Sequence, residues 1–280
     1  KHSVGTLDRR GPLDTYSNDL VPQATAEHKS QAGGEYVTSC YASALSIRVG
    51  FTLPDRDYKE ARPMAATLNN DSPDRALLVI DVQNDFIPGG ALPVTGGDQI
   101  VPLVNRIASG FRNVVQAQDW HPAGHASFAS SHPGRKPFEV IDLPYGPQVL
   151  WPDHCIQGSE GAQFHPHLNI PHTQLIVRKG GNPAVDSYSA FTEADQQTTT
   201  GLAGYLQEKG ISTVFVVGLA LDFCVAWTAL HARGKGFVTY VVLDACRAID
   251  SDGSLERAMA EMEDAGVIFI ESRQLLGANR

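Results

Sequence analysis

The run Ala76-Leu-Leu-Val-Ile80 is the strongest fold signal in the chain. An uninterrupted apolar run of this length predicts a strand buried on both faces, as in a parallel sheet. On the carboxyl side, strand patterns at 113–117, 174–177, 212–217, 237–243 and 267–270 alternate with helical patterns at 99–111, 201–209, 223–233 and 255–265. This alternation predicts a doubly wound, three-layer α/β/α fold with a mostly parallel sheet.

The composition is that of an ordinary globular protein, with 280 residues, 42% hydrophobic and 19% charged. The formal net charge of -9 disfavours nucleic acid or an anionic membrane as partner. The apolar run from Tyr41 to Leu53 is too interrupted for a membrane helix or a secretory signal. Four cysteines without a CxxC spacing indicate neither a disulfide scaffold nor a zinc knuckle, and they favour a cytoplasmic location.

Two segments depart from the alternating pattern. Residues 1–72 have no sustained periodicity and end in the polar, breaker-rich stretch Asn69–Pro73. We interpret them as an N-terminal extension, with a flexible tail favoured over a functional module, and we place the α/β domain at 73–280. The stretch from about 120 to 173 is long and rich in His, Pro and Gly, which indicates a functional loop.

Reactive side chains follow four of the predicted strands. Asp81 follows the first and Asp119 the second, Lys179 comes after Leu175-Ile-Val-Arg, and Cys224 lies where a helix begins. Because ligands bind at the carboxyl ends of parallel strands, we expect these groups to lie together. Asp81 would then act as base, Lys179 as the cation and Cys224 as the nucleophile, with Asp222 capping the helix. The alternatives are an inert buried cysteine and a plain Asp–Lys ion pair.

A second cluster has the residue types of a metal site. Asp119 and His121 are two apart, so both face one side of an extended segment, and His154 offers a third ligand. Two histidines and a carboxylate suit Zn²⁺, with Fe²⁺ or Mn²⁺ as alternatives. A D-x-H pair alone is more often a solvated turn, and His125 and other loop histidines compete as ligands.

Five sequence blocks together resemble one family. The blocks Ile80–Phe86, Gln118–Pro122, Trp151–Cys155, Arg178–Gly180 and Gly218–Cys224 are similar to the nicotinamidase (pyrazinamidase) branch of the isochorismatase-like cysteine hydrolases. The resemblance covers about residues 74–275, and nothing in the family pattern matches the first 72 residues.

The resemblance implies a role for each matching position. The roles are a catalytic triad of Asp81, Lys179 and Cys224; metal ligands Asp119, His121 and His154; an oxyanion hole at Ala220 and Cys224, with a cis Leu219–Ala220 peptide; and ring-facing walls Phe86, Trp151 and Tyr188. His125 matches a fourth ligand of some relatives and is left outside this set.

The resemblance also implies hydrolysis of nicotinamide to nicotinate and ammonia through a thioester, with pyrazinamide as a further substrate and a role in NAD salvage. The substrate is then a small molecule, and a homo-oligomer is in keeping with the family. The alternatives are an amidase for a ring-substituted nicotinamide or a carbamoyl or ureido amide, and a non-catalytic binding module that keeps the fold.

Overall fold

The computed structural model describes residues 68–276, and its centre is a six-stranded sheet. The strands are β1 Arg75–Ile80, β2 Asn113–Asp119, β5 Leu175–Lys179, β6 Thr213–Leu219, β7 Val238–Arg247 and β8 Ile268–Ile270. They lie in the order β5-β2-β1-β6-β7-β8, and all neighbouring pairs are parallel. The doubly wound α/β class is therefore confirmed.

Strand β1 lies in the middle of the sheet because it has no polar face. Residues 76–80 are all buried, and the strand pairs with β2 on one side and β6 on the other. The chain builds outward from β1 through β2 to β5, then returns to β1 and builds outward through β6 to β8. This reversal of direction at β1 is the switch point at which parallel sheets open a ligand crevice.

The helices match the predicted order but differ at their ends. They are α1 Val101–Ala108, α2 Leu202–Glu208, α3 Ala226–Gly234, α4 Ser254–Asp264 and α5 Arg273–Leu276. The predicted helix at 99–111 is shorter because Gly97–Ile100 forms a 3-10 turn in front of it. The predicted helix at 223–233 begins instead as a π-helical turn, Leu221–Val225, which bears Cys224.

The long segment between β2 and β5 contains a hairpin that the sequence did not predict. Strands β3 Val140–Leu143 and β4 Gly146–Val149 pair antiparallel. Pro144 and Pro147 interrupt the apolar alternation that would have indicated strands there. Proline cannot donate a ladder hydrogen bond, so it is tolerated at sheet edges, and both strands of a two-stranded sheet are edge strands.

The start of the described chain is tied to its end. Leu68 N donates to Gln274 O at 2.9 Å, and Asn70 Nδ2 donates to Leu275 O at 2.9 Å. Most of the expected extension lies outside the described residues, so its role and its boundary at 72 stay predictions. Within residues 68–276, no helix has the length and apolar character to cross a membrane.

Candidate active site

Four strand ends deliver their reactive groups to one place, centred on the Lys179 ammonium. Lys179 Nζ donates to Asp119 Oδ1 at 2.7 Å and lies 2.9 Å from Asp81 Oδ2. It also donates to Ser187 O at 2.9 Å and lies 3.5 Å from Cys224 Sγ. The structure thus brings together the three residues predicted as a triad and joins them to a predicted metal ligand through one amine.

Burial sets the charge state of this group. Burial raises the pKa of Asp81 to about 6, with Lys179 opposing and Asp119 adding to that rise. The two neighbouring carboxylates hold the pKa of Lys179 well above its usual range despite its burial. At neutral pH the group therefore contains two carboxylates and one ammonium, and Asp81 is a base with affinity for a proton near neutrality.

The Cys224 side chain rests as a thiol. Burial raises its pKa well above the usual range, and the nearby carboxylates add to that effect while Lys179 opposes it. Desolvation therefore outweighs the neighbouring ammonium and keeps the proton on the sulfur at rest. Asp81 is the neighbouring base that would accept this proton, and Lys179 Nζ lies within 2.9 Å of its Oδ2 and 3.5 Å of the sulfur.

Asp222 does not cap a helix, contrary to the sequence prediction. Its carboxylate accepts hydrogen bonds from Ile249 N at 3.0 Å, Asp250 N at 2.8 Å and Ser254 Oγ at 2.5 Å. Neither the π-helical turn nor α3 has a side-chain cap. Asp222 instead fastens the loop after β7 to the turn that bears Cys224, a tertiary contact that local spacing does not reveal.

The backbone around the turn is tightly packed. Gly218 has φ +124°, and a Cβ there would collide with the carbonyl oxygen of Ile80 on β1. The Leu219–Ala220 peptide is cis, as predicted. Ala220 and Cys224 both line the cavity described below. Their oxyanion role stays a prediction.

The three predicted metal ligands converge beside the triad. Asp119 Oδ2 lies 3.1 Å from His121 Nε2 and 3.5 Å from His154 Nε2, and all three residues are buried. His121 Nδ1 donates to Gly180 O at 3.1 Å and His154 Nδ1 donates to Pro152 O at 2.8 Å. Since a carbonyl only accepts, the proton of each neutral ring is on Nδ1, and each Nε2 lone pair faces the carboxylate. These donors fit a divalent metal ion, which would relieve their mutual repulsion.

Gly180 is required by the same site. Its φ is +69°, and a Cβ at this position would collide with the His121 ring.

His125 has no free nitrogen for the metal. Its Nε2 donates to Asn182 O at 2.8 Å, and its Nδ1 lies 2.8 Å from Ser127 Oγ. The structure therefore places His125 against protein groups rather than in the Asp119, His121 and His154 set.

An open cavity with about 340 Å³ of empty volume lies over Cys224 and the metal-type group. The predicted walls Phe86, Trp151 and Tyr188 all line it. Sequence reasoning missed further lining residues, namely Leu92, Asp186, Ser187, Phe223 and Ile249. Phe223 adjoins Cys224 in the quoted motif and could have been found from it. The others lie on loops without a recognisable spacing.

Comparisons with known proteins agree with this geometry. The family model described as Isochorismatase domain matches residues 75–274. A nicotinamidase of Acinetobacter baylyi is 58% identical over 201 residues, which cover 72% of this chain and 94% of that protein.

Two solved structures are similar to the described domain. The structure of PnC1 from L. infantum in complex with nicotinate is 40% identical with a TM-score of 0.65, and the match covers 74% of this chain and 97% of that one. The pyrazinamidase of Pyrococcus horikoshii in complex with zinc is 35% identical with a TM-score of 0.59, covering 71% and 99%.

Proposed function

Because the chain belongs to the isochorismatase family, we propose that its buried Asp81–Lys179–Cys224 group hydrolyses nicotinamide to nicotinate and ammonia. One observation carries the proposal. One buried ammonium lies 2.9 Å from the Asp81 carboxylate and 3.5 Å from the Cys224 sulfur, beside converging Asp–His–His donors in an aromatic cavity. The 58% identical Acinetobacter baylyi protein is a nicotinamidase, which is in keeping with this amidohydrolase activity.

The first half of the reaction forms a thioester. Asp81 takes the proton from Cys224 Sγ, and the sulfur attacks the carboxamide carbon to form a C–S bond. The backbone N–H groups of Ala220 and Cys224 receive the oxygen that becomes negative. Asp81 then returns its proton to the nitrogen, the C–N bond breaks, and ammonia leaves.

The second half restores the enzyme. Asp81 takes a proton from water as the water oxygen attacks the thioester carbon. The C–S bond breaks, the sulfur regains its proton from Asp81, and the product acid loses its remaining proton to solvent and leaves as nicotinate. Lys179 stays protonated throughout and lies beside Asp81 and Asp119, so it offsets part of the negative charge that moves between Asp81 and the sulfur.

We propose that Asp119, His121 and His154 hold one divalent metal ion, with Zn²⁺ favoured and Fe²⁺ or Mn²⁺ as alternatives. The pyrazinamidase structure from Pyrococcus horikoshii contains zinc, and two imidazoles with one carboxylate are ligands that zinc prefers. When bound, the ion supplies a Lewis-acid position for a ring nitrogen donor. A pyridine or pyrazine carboxamide has both that nitrogen and the reacting amide, which favours nicotinamide and pyrazinamide over amides without a ring.

The substrate is a small molecule that fits between Phe86, Trp151 and Tyr188. The related PnC1 structure holds nicotinate, the product that this reaction would release. A place in NAD salvage follows from that chemistry. A homo-oligomer and a cytoplasmic location stay predictions.

A panel of amides tests the proposal. Purified protein with added Zn²⁺, Fe²⁺ or Mn²⁺ is assayed for ammonia release from nicotinamide, pyrazinamide, a ring-substituted nicotinamide and an N-carbamoyl compound. We expect release from the first two and a loss of about 10⁴-fold or more in Cys224→Ala with the fold retained. Cys246→Ala, which removes another buried free cysteine, is the matched control and is expected to stay active.

Three results would contradict the proposal. The first is near-normal turnover by Cys224→Ala, which would remove the nucleophile assignment. The second is release from the carbamoyl compound alone, which would move the substrate class to the alternative amidases. The third is a complete lack of turnover with every metal, which would favour a binding module.

A further inference from the structure

The β3–β4 hairpin places one side chain deep in the protein. Gln148 on β4 is only 2% exposed, whereas the other three residues of that strand are partly or fully exposed. A buried primary amide has two N–H groups and a carbonyl to satisfy, so its partners identify what it holds. Those partners lie at the cavity wall.

Gln148 connects the hairpin to the segment 186–188. Its Nε2 donates to Asp186 Oδ2 and to the backbone carbonyl of Val149, each at 2.7 Å, and lies 2.9 Å from the Tyr188 hydroxyl. Its Oε1 accepts from the Tyr145 hydroxyl at 2.9 Å. Asp186 Oδ1 in turn accepts from Ser187 N at 2.8 Å. The amide thus joins a buried carboxylate to the hydroxyl of an aromatic wall residue.

The orientation of Tyr188 depends on these bonds. Its hydroxyl accepts a second hydrogen bond from Trp151 Nε1 at 3.0 Å. Its ring lies 6.3 Å from the Trp151 ring and 5.9 Å from the Phe223 ring, and all three line the cavity. Ring contacts of this kind allow sliding and rotation, whereas two donors directed at one hydroxyl oxygen fix where the far end of the ring lies.

We propose that Gln148 is a positioning residue that fixes the Tyr188 wall and thereby sets the affinity for the aromatic ring of the substrate. The inference rests on the proposed function and deepens it. Gln148 contacts none of Asp81, Lys179 or Cys224 through any of its hydrogen bonds, and Asp186 keeps its bond to Ser187 when the amide is removed. Loss of Gln148 is therefore expected to weaken ring binding and leave the chemical step unchanged.

Steady-state kinetics on Gln148→Leu test this. We expect the KM for nicotinamide to rise about 10-fold while kcat stays within about twofold, because the Gln148 bonds to the Tyr188 hydroxyl and to Asp186 are lost and the reacting groups are untouched. Tyr145→Phe is the matched control, since it removes the hydroxyl that bonds to Gln148 Oε1 and accepts from Asp186 N at 3.3 Å, and it leaves the Nε2 bonds intact. Its KM is expected to change by less than about twofold.

A double-mutant cycle separates positioning from a merely structural role. Tyr188→Phe keeps the ring, removes the hydroxyl and is expected to raise KM about fivefold. In that background, Gln148→Leu is expected to add less than about threefold, because the shared bond is already lost. If Gln148→Leu fails to unfold cooperatively, Tyr188→Phe alone carries the test.

Several results would overturn the inference. One is that Gln148→Leu still raises KM by its full factor in the Tyr188→Phe background. Another is that Gln148→Leu lowers kcat and leaves KM unchanged. The third is that Tyr188→Phe leaves KM unchanged. Each of these is distinct from failure of the proposed function, which would appear as no ammonia release by the unaltered protein and would overturn both.

Discussion

The cavity has two sides that are built in different ways. On the sheet side, Asp81, Lys179 and Cys224 are buried and held by charge, with the ammonium 2.9 Å from a carboxylate and 3.5 Å from the sulfur. On the loop side, Trp151 and Tyr188 are held by ring contacts and neutral hydrogen bonds. The difference indicates that strands fix the reacting atoms, while loops shape the space for the ring.

The register of the strands explains how the sheet side aligns its reactive side chains. Asp119 and Lys179 are direct partners in the β2–β5 ladder, so their side chains leave neighbouring strands at the same height. Asp81 follows the last paired residue of β1. The ladder places these groups side by side, and the ion pairs with Lys179 then hold them. The loop side lies outside the parallel sheet and relies on single contacts such as that of Gln148.

Among variants that leave the nucleophile in place, the largest effect is expected from Lys179→Met, which removes the charge that the sheet side shares. Ammonia release should fall about 10³-fold, because the thiolate and Asp81 lose their cation. The free energy of unfolding should fall by about 3 kcal/mol, since two buried carboxylates are left unpaired. Initial rates and chemical denaturation measure the two effects.

Arg178→Met is the matched control on the same strand. Arg178 is exposed and lies over the Trp120 ring at 3.9 Å, so the variant removes a neighbouring cation outside the cavity. Its activity is expected to stay near normal. Turnover by Lys179→Met close to that of Arg178→Met would mean that the chemistry does not depend on the shared ammonium.

Removal of the metal ion tests the role of Asp119, His121 and His154, which lie between the sheet side and the loop side of the cavity. Chelation should lower ammonia release by about 100-fold or more, with recovery on addition of a divalent ion. His154→Ala should lose most of the bound metal, measured by elemental mass spectrometry, while His172→Ala should retain it. His172 bonds to Ala108 O outside the site. Full activity in metal-free protein would contradict the assignment.

The same division explains what could be predicted from the sequence. Asp81, Asp119 and Lys179 end apolar runs, and the ends of parallel runs meet, so their convergence follows from strand order alone. Asp186 and Ile249 lie on loops and Gln148 lies on the β3–β4 hairpin, and the paths of these segments depend on tertiary contacts. Asp222 shows the limit well, because its position next to a helix suggested a cap while its real partners lie 27 to 32 residues away.

A smaller effect is expected from Asp222→Asn, which weakens the contact between the turn that bears Cys224 and the loop after β7. An amide N–H₂ would replace one acceptor oxygen in a group that accepts from Ile249, Asp250 and Ser254. We expect the free energy of unfolding to fall by about 2 kcal/mol. The KM should rise about threefold, because Ile249 lines the cavity.

Thermal unfolding and kinetics check the Asp222 prediction. Asp250→Asn is the control, since asparagine tolerates the left-handed φ of 53° at that position and stability should stay within about 0.5 kcal/mol. Equal stability of the two variants would show that the Asp222 carboxylate does not hold the loop.

The smallest effect on activity is expected at His231, which lies on α3 behind the nucleophile turn. The residue is buried, its ring packs edge-on against Trp227, and neither ring nitrogen has a hydrogen-bond partner among residues 68–276. Burial lowers the pKa of His231 to about 4, and Lys235 adds to that effect. The folded protein therefore keeps this ring neutral where an unfolded chain would protonate it.

The sign of the pH dependence follows from this lowered pKa. Above the unfolded value of about 6.5 both states are neutral and His231 has no effect, whereas between about 6.5 and 4 only the unfolded chain takes up the proton. From pH 7.5 to pH 5 the wild-type protein should lose about 2 kcal/mol of unfolding free energy that His231→Leu does not lose. Urea denaturation of both proteins at the two pH values measures the difference, with kcat at pH 7.5 expected to be unchanged. Parallel losses in both proteins would mean that the ring is protonated or solvated in the folded state. The packing behind the turn that bears Cys224 would then be less complete than the structure indicates.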